Sequence, residues 1–203
     1  MIATLAETGA IETLSQPQQG CSNSALPSRI DALTEIGMAN SPSSADQRTL
    51  TFPADLPCER FALFKDSSFF CRNGPGSVLP SPSEVLVEAR RGGTGTEFRP
   101  PPIHYPSLGL TVKYGRAVST TEGQCLWAIR QSLGGTVPVP EVYGWTVDAD
   151  VSYIYMEHIP GDTLIYRWDS LSESEKRDIC DQLRMMVDSL RSLKQPNGEK
   201  FIG

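Results

Sequence analysis

The chain has 203 residues, of which 39% are apolar, with 17 glycines and 16 prolines. A fully packed globular chain carries a larger apolar share, so part of this one is expected not to pack. The formal charge of −6 argues against a sequence-independent nucleic-acid binder, which needs a basic surface to neutralise phosphates.

No apolar run approaches the roughly 20 residues that cross a bilayer. The opening stretch, Met1 to Leu14, carries acids and no Lys or Arg, unlike a signal or transit peptide. The expectation is a cytoplasmic protein with neither a membrane nor a nucleic acid as partner. Cysteines stand at 21, 58, 71, 125 and 180, none in a C-x-x-C pair, and the histidines are His104 and His158. Structural zinc needs closely spaced ligand pairs, so no metal site is expected and the thiols read as reduced.

Residues 1–50 are rich in Ser, Gln, Ala, Pro and Asn. Such a segment cannot bury enough apolar surface to offset chain entropy, and it reads as a disordered tail with a transient helix near 29–38. Phe61 to Phe64 and Phe69-Phe70 form an apolar–aromatic patch, a short helix or strand packed on the main core. A turn-rich stretch follows, with Asn73-Gly74-Pro75-Gly76, Pro80-Ser81-Pro82, Arg91 to Gly95 and Pro100-Pro101-Pro102. Val85-Leu86-Val87 between these turns reads as a short strand.

From Leu108 the pattern sharpens. Leu110 to Tyr114 alternates as a strand, and Ser119-Thr120-Thr121-Glu122 reads as a capping box that opens a helix. Cys125, Leu126, Ile129 and Leu133 recur at helical spacing, and Gly134-Gly135 ends that helix. Val137 to Pro140 is an extended connector, because each proline biases its predecessor away from α. Two strands, Val142 to Trp145 and Ser152 to Met156, flank a turn at 148–150. Pro160-Gly161 breaks the chain. A second capping box, Ser172 to Glu175, opens a helix to about Lys194 with an apolar stripe at Ile179, Leu183, Met186, Val187, Leu190 and Leu193.

The order strand–Lys–helix–Glu–strand–strand–breaker–helix has a physical reading. A strand lysine can point its ammonium at nucleotide phosphates, and a glutamate of the next helix can hold that ammonium by charge-assisted hydrogen bonds. Lys113 and Glu122 suit these roles. Glu122 has a competing use as the third helical residue of the capping box, where its carboxylate would take the Ser119 backbone N–H. The Met156 to Gly161 stretch suits a hinge whose free backbone groups could pair with an adenine edge. Trp127, Tyr143 and Trp145 read as core rather than ligand-stacking groups, and Asp162 and Asp169 as loop or cap residues.

The phrases Val112-Lys113-Tyr114-Gly115, Glu122 to Arg130, Val137 to Tyr143 and Ile154 to Leu164, in that order, resemble the aminoglycoside phosphotransferase family of the protein-kinase-like superfamily, in its fungal-type branch. The resemblance runs from Leu110 to Gly203. It implies an α+β fold: a kinase-like small lobe of antiparallel sheet plus one helix over 51–157, then a hinge and the first large-lobe helix over 158–203. It also implies that Lys113 contacts ATP phosphates with Glu122 as ion-pair partner, and that Met156 sits behind the adenine. The Glu157 carbonyl and the Ile159 N–H would be hinge contacts. Gly92 to Gly95 is a candidate phosphate-covering loop, or only a linker.

Family members continue into a His-Gly-Asp catalytic loop, a downstream Asn and a magnesium-holding Asp, which this sequence lacks. The His158-Ile-Pro-Gly-Asp162 phrase is a superficial likeness. The expectation is therefore a partial phosphotransferase, truncated before its catalytic loop, without magnesium ligands or catalytic residues. It would keep weak nucleotide affinity and essentially no turnover. The alternative is a non-catalytic pseudokinase-like module that binds a protein partner, or itself, through the 172–194 helix. Six large apolar side chains left partly bare on that helix would forgo on the order of 10 kcal/mol of burial.

Overall fold

Strand β3 (Leu110–Gly115) organises the domain. Its alternation sends Leu110, Val112 and Tyr114 to one side of the sheet and Thr111 and Lys113 to the other, and all but Lys113 are buried. On one flank β3 pairs with the edge strand β2 (Ile103–Tyr105) and on the other with β5 (Val151–Glu157). Beyond β5 lie β4 (Val142–Asp148) and β1 (Phe61–Leu63). The result is an open five-stranded sheet of order β1-β4-β5-β3-β2, antiparallel at every pairing. This computed structural model describes residues 53, 55–93 and 100–194, all of which lie within one unit spanning 45–203. The expected tail over 1–50, its helix near 29–38 and the stop at 196–198 lie outside the described residues.

One sheet face carries Leu110, Val112, Tyr114, Tyr143, Tyr153 and Tyr155. They pack with Phe69 and Phe70 of helix α1 (Ser68–Asn73) and with Val85 and Ala89 of helix α2 (Pro82–Arg91). The opposite face carries Val142, Trp145 and Ile154 together with Val118, beneath helix α3 (Thr120–Leu133). A register shift between Val142 and Gly144 lets Tyr143 and Trp145, two residues apart, serve opposite faces. Gly123 allows α3 to approach the sheet, since a Cβ there would stand 3.1 Å from the Trp145 ring. Two side-chain donors tie the segment before β1 to this side: Trp145 Nε1 donates to the Glu59 carbonyl and Gln124 Nε2 to that of Pro57, both at 2.9 Å.

The expected strand at Val85-Leu86-Val87 is instead the centre of α2. Ser81 caps this helix, Pro82 occupies its first turn, and Glu84 closes a capping box on Ser81. Those local signals outweigh a three-residue apolar run with two valines. The aromatic patch divides into β1 and α1. Gly92 ends α2, so the first half of the candidate phosphate-covering run is a helix terminus; residues 94 and 95 lie outside the described residues. The hairpin entering β3 turns instead through a 3₁₀ turn at Pro106–Leu108 and Gly109, whose φ of 60° favours glycine.

After β5, a short helix α4 (Leu164–Arg167) and a 3₁₀ turn lead to α5 (Glu173–Ser192). Ser172 and Glu175 form the expected reciprocal box at its start. The apolar stripe falls on one side of the helix, yet no residue of α5 is buried, and Leu183 and Val187 are exposed. Among the described residues, no helix is long and apolar enough to cross a membrane.

Candidate functional site

Lys113 and Glu122 meet on the α3 side of the sheet. Lys113 projects from β3 by the period-2 rule, opposite Ile154 of β5, and its Nζ donates to Glu122 Oε1 in an ion pair. The side chains are 34% and 42% exposed. At that exposure the pair contributes no more than about 1 kcal/mol to stability, so its effect is chiefly to aim the ammonium. The box expected at Ser119 does not close. Ser119 Oγ accepts from the Thr121 N–H at 3.2 Å, while Glu122, three residues into the helix, turns its carboxylate to Lys113. A full cation is the stronger partner for a carboxylate than a backbone N–H.

Met156 lies on the same face, opposite Thr111 in the β3–β5 register, and is half-buried against Trp145 and its neighbours. Glu157 sits opposite Leu110, so its side chain leaves on the other face. Its N–H donates to the Glu141 carbonyl at 2.8 Å, and its Oε2 accepts from the Glu141 N–H at 3.1 Å. Ile159 is 45% exposed, and no described residue accepts its N–H. The structure thus brings Lys113, Glu122 and Met156 onto one face and directs the Glu157 side chain away from it. Asp162 is exposed and 4.0 Å from Arg167. Trp145 and Tyr143 are fully buried core residues, as read from the sequence.

Two cavities, of about 580 and 450 Å³, border α2 and the Pro75–Pro82 segment, and neither is lined by Lys113, Glu122, Met156, Glu157 or Ile159. On the Lys113 face, α3 packs chiefly over β4 and β5. Burial first, and then the Glu122 charge, raise the Cys125 thiol above its ordinary value. Among the described residues, no group of three or more His, Cys, Asp or Glu is arranged to hold a metal ion.

Sequence reasoning missed a polar cluster on the same face. Thr111, 8% exposed, presents its hydroxyl to both histidines of the chain: His104 Nδ1 and His158 Nδ1 each lie 3.1 Å from Thr111 Oγ1. The signal available was that Thr111 stands two residues before Lys113 and therefore shares its face. The partners, drawn from β2 and from the segment after β5, required the strand registers. Glu141 was also unforeseen. Its carboxylate accepts from the Ser68 N–H at 3.3 Å and lies 3.7 Å from Arg130, linking α1 to α3.

These features define a mixed α+β domain with an open antiparallel sheet and an oriented lysine on one face. Comparison with known proteins returns no matching family model, no matching curated protein and no matching solved structure.

Proposed function

We propose that this domain is the nucleotide-gripping small lobe of a kinase-like phosphotransferase, of the aminoglycoside phosphotransferase type. The observation that carries this reading is the Lys113–Glu122 ion pair between β3 and α3, on the face that also bears Met156. A lysine is a compact, strongly hydrated charge on a flexible stem. Tethered by a carboxylate, it becomes a directed donor for the α and β phosphates of a nucleoside triphosphate. Met156 would lie behind the base, and the Glu157 carbonyl and the Ile159 N–H would edge it.

Phosphoryl transfer depends almost wholly on positioning and electrostatic stabilisation. The residues present supply part of the positioning. No step is assigned through a metal ion. The function supported for these residues is nucleotide binding.

Thermal denaturation and calorimetry with ATP and ADP, with and without magnesium, test the reading. The chain is expected to gain melting temperature in proportion to ligand occupancy, and Lys113→Ala to lose at least tenfold in affinity, as expected for a charge-assisted phosphate contact. Equal shifts in both proteins, or none in either, would refute the nucleotide site.

A second reading, a non-catalytic interaction module, draws on α5, where Leu183, Met185 and Val187 are all exposed. It expects concentration-dependent association that Leu183→Glu abolishes, and no nucleotide response. A monomer in sedimentation velocity would remove self-association.

A further inference from the structure

The cavity of about 580 Å³ beside α2 has two kinds of wall. One is apolar: Val78, Leu79, Val87, Leu108 and the half-buried Tyr105. Val78 is 82% exposed and Val87 46% exposed, so both leave apolar surface in water that a ligand would cover, at a gain proportional to the area removed. The other wall is charged: Glu84 and Glu88, one turn apart on α2, with Arg91 three residues on. Apolar walls with a few polar groups, at this volume, are the ordinary make-up of a small-molecule site. We propose that this cavity binds a small organic monocation. Its apolar body would pack on Tyr105, Leu108 and Val87, and its ammonium would be held by Glu84, Glu88 and the Tyr105 hydroxyl. The cavity lies on the sheet face that bears α1 and α2, opposite to Lys113, and the proposal does not depend on the nucleotide reading.

The charge count selects the ligand. Two carboxylates stand against one guanidinium, which leaves one negative charge in excess, and Arg91 Nη1 donates to Glu88 Oε2 at 3.0 Å. Glu84 has no cationic partner among the described residues. Its Oε2 accepts from the Ser81 hydroxyl and from the Ser81 N–H, both at 2.7 Å. These contacts fix the carboxylate and leave Oε1 without a described donor. The Ser81 hydroxyl, and then its N–H, hold Glu84 below the usual carboxylate range, so it is an anion throughout the neutral range.

Tyr105 supplies a third group. Its hydroxyl bonds to no described residue. Burial first, and then the Glu88 and Glu84 charges, raise the phenol. It therefore stays neutral at pH 7 and keeps lone pairs for an incoming donor, while its ring attracts an organic cation. An anion would meet the excess negative charge, and a neutral body would leave it unanswered.

Titration of the full chain with 4-phenylbutylamine, 4-phenylbutanol and 4-phenylbutyrate, followed by amide chemical shifts, tests the proposal. The amine carries the charge of a lysine at pH 7, and the other two share its apolar body. Saturable shifts are expected in residues 83–91, Tyr105 and Leu108. The amine should bind about threefold to fivefold more tightly than the alcohol, the scale of a partly exposed charge interaction, and the acid more weakly than either. Glu84→Gln, which keeps the capping box, should remove about that factor for the amine and leave the alcohol unchanged. Arg91→Gln, which frees Glu88, should tighten the amine. Equal affinity for amine and alcohol in the unmodified chain, shifts centred elsewhere, or absence of saturation would overturn the proposal. So would unchanged amine binding in Glu84→Gln or looser amine binding in Arg91→Gln. Because no probe carries a phosphate, none of these outcomes bears on the Lys113 site.

Discussion

Glu122 shows how one side chain resolves two local instructions. Its place in Ser119 to Glu122 invites a cap, and its place opposite β3 invites an ion pair; the cation wins, and Ser119 serves Thr121 alone. The choice has a chemical consequence one turn along, because the same carboxylate helps burial to hold the Cys125 thiol up. Thiolate is the reactive form. Cys125 should therefore be alkylated more slowly at neutral pH than the exposed Cys58, Cys71 and Cys180. Glu122→Gln should speed its reaction roughly twofold to fivefold, the range for losing one partly exposed charge interaction. Rates from mass-resolved iodoacetamide labelling check this, and an unaltered Cys125 rate in the variant would contradict the role assigned to Glu122.

At the scale of elements, the edge strand β1 depends on the absence of a side chain at Gly144. A Cβ there would lie 2.5 Å from the Ala62 carbonyl oxygen, a backbone atom that cannot swing aside. Gly144→Ala is expected to cost about 2 kcal/mol or more in chemical denaturation, with exchange rising first in Phe61–Leu63. A change below about 0.5 kcal/mol, the size of an ordinary surface substitution, would mean that the close approach is not maintained in solution. The helices rest on more legible chemistry. Ser172 with Glu175, and Ser81 with Glu84, form reciprocal boxes in which serine hydroxyl and backbone donors lower both carboxyl groups. A lowered folded value means a contribution present above the usual carboxylate range and lost as pH falls through the lowered one. Ser172→Ala is expected to cost about 1 kcal/mol. The box at Ser172 was readable from spacing alone, whereas the one at Ser81 was hidden by the two prolines that flank the serine and by the Val85 to Val87 run.

Across the whole domain, the face beneath α1 and α2 is built from tyrosines. Burial raises the phenols of Tyr143, Tyr153 and Tyr155, and of half-buried Tyr105, above the ordinary range, Tyr155 most of all. The folded state keeps these protons above about pH 10, where the unfolded chain releases them. Stability is therefore full below that pH and falls as pH rises beyond it. Absorbance titration at alkaline pH should show these phenols ionising together with loss of circular dichroism. Independent ionisation near pH 10 with the fold retained would show that the aromatic layer is open to water.

The sequence determined what neighbouring residues decide among themselves: where α3 and α5 begin, that β3, β4 and β5 alternate, and that Lys113 and Glu122 stand nine positions apart on adjoining elements. These follow from capping, periodicity and short chain closure. Other features arose only when distant strands came into register. They are the pairing of β1 with β4, the burial of the phenols, and the meeting of His104 and His158 on Thr111 across 54 positions. A strand's partners and faces are set by packing and register rather than by its own composition, so these contacts have no local signature from which they could be read.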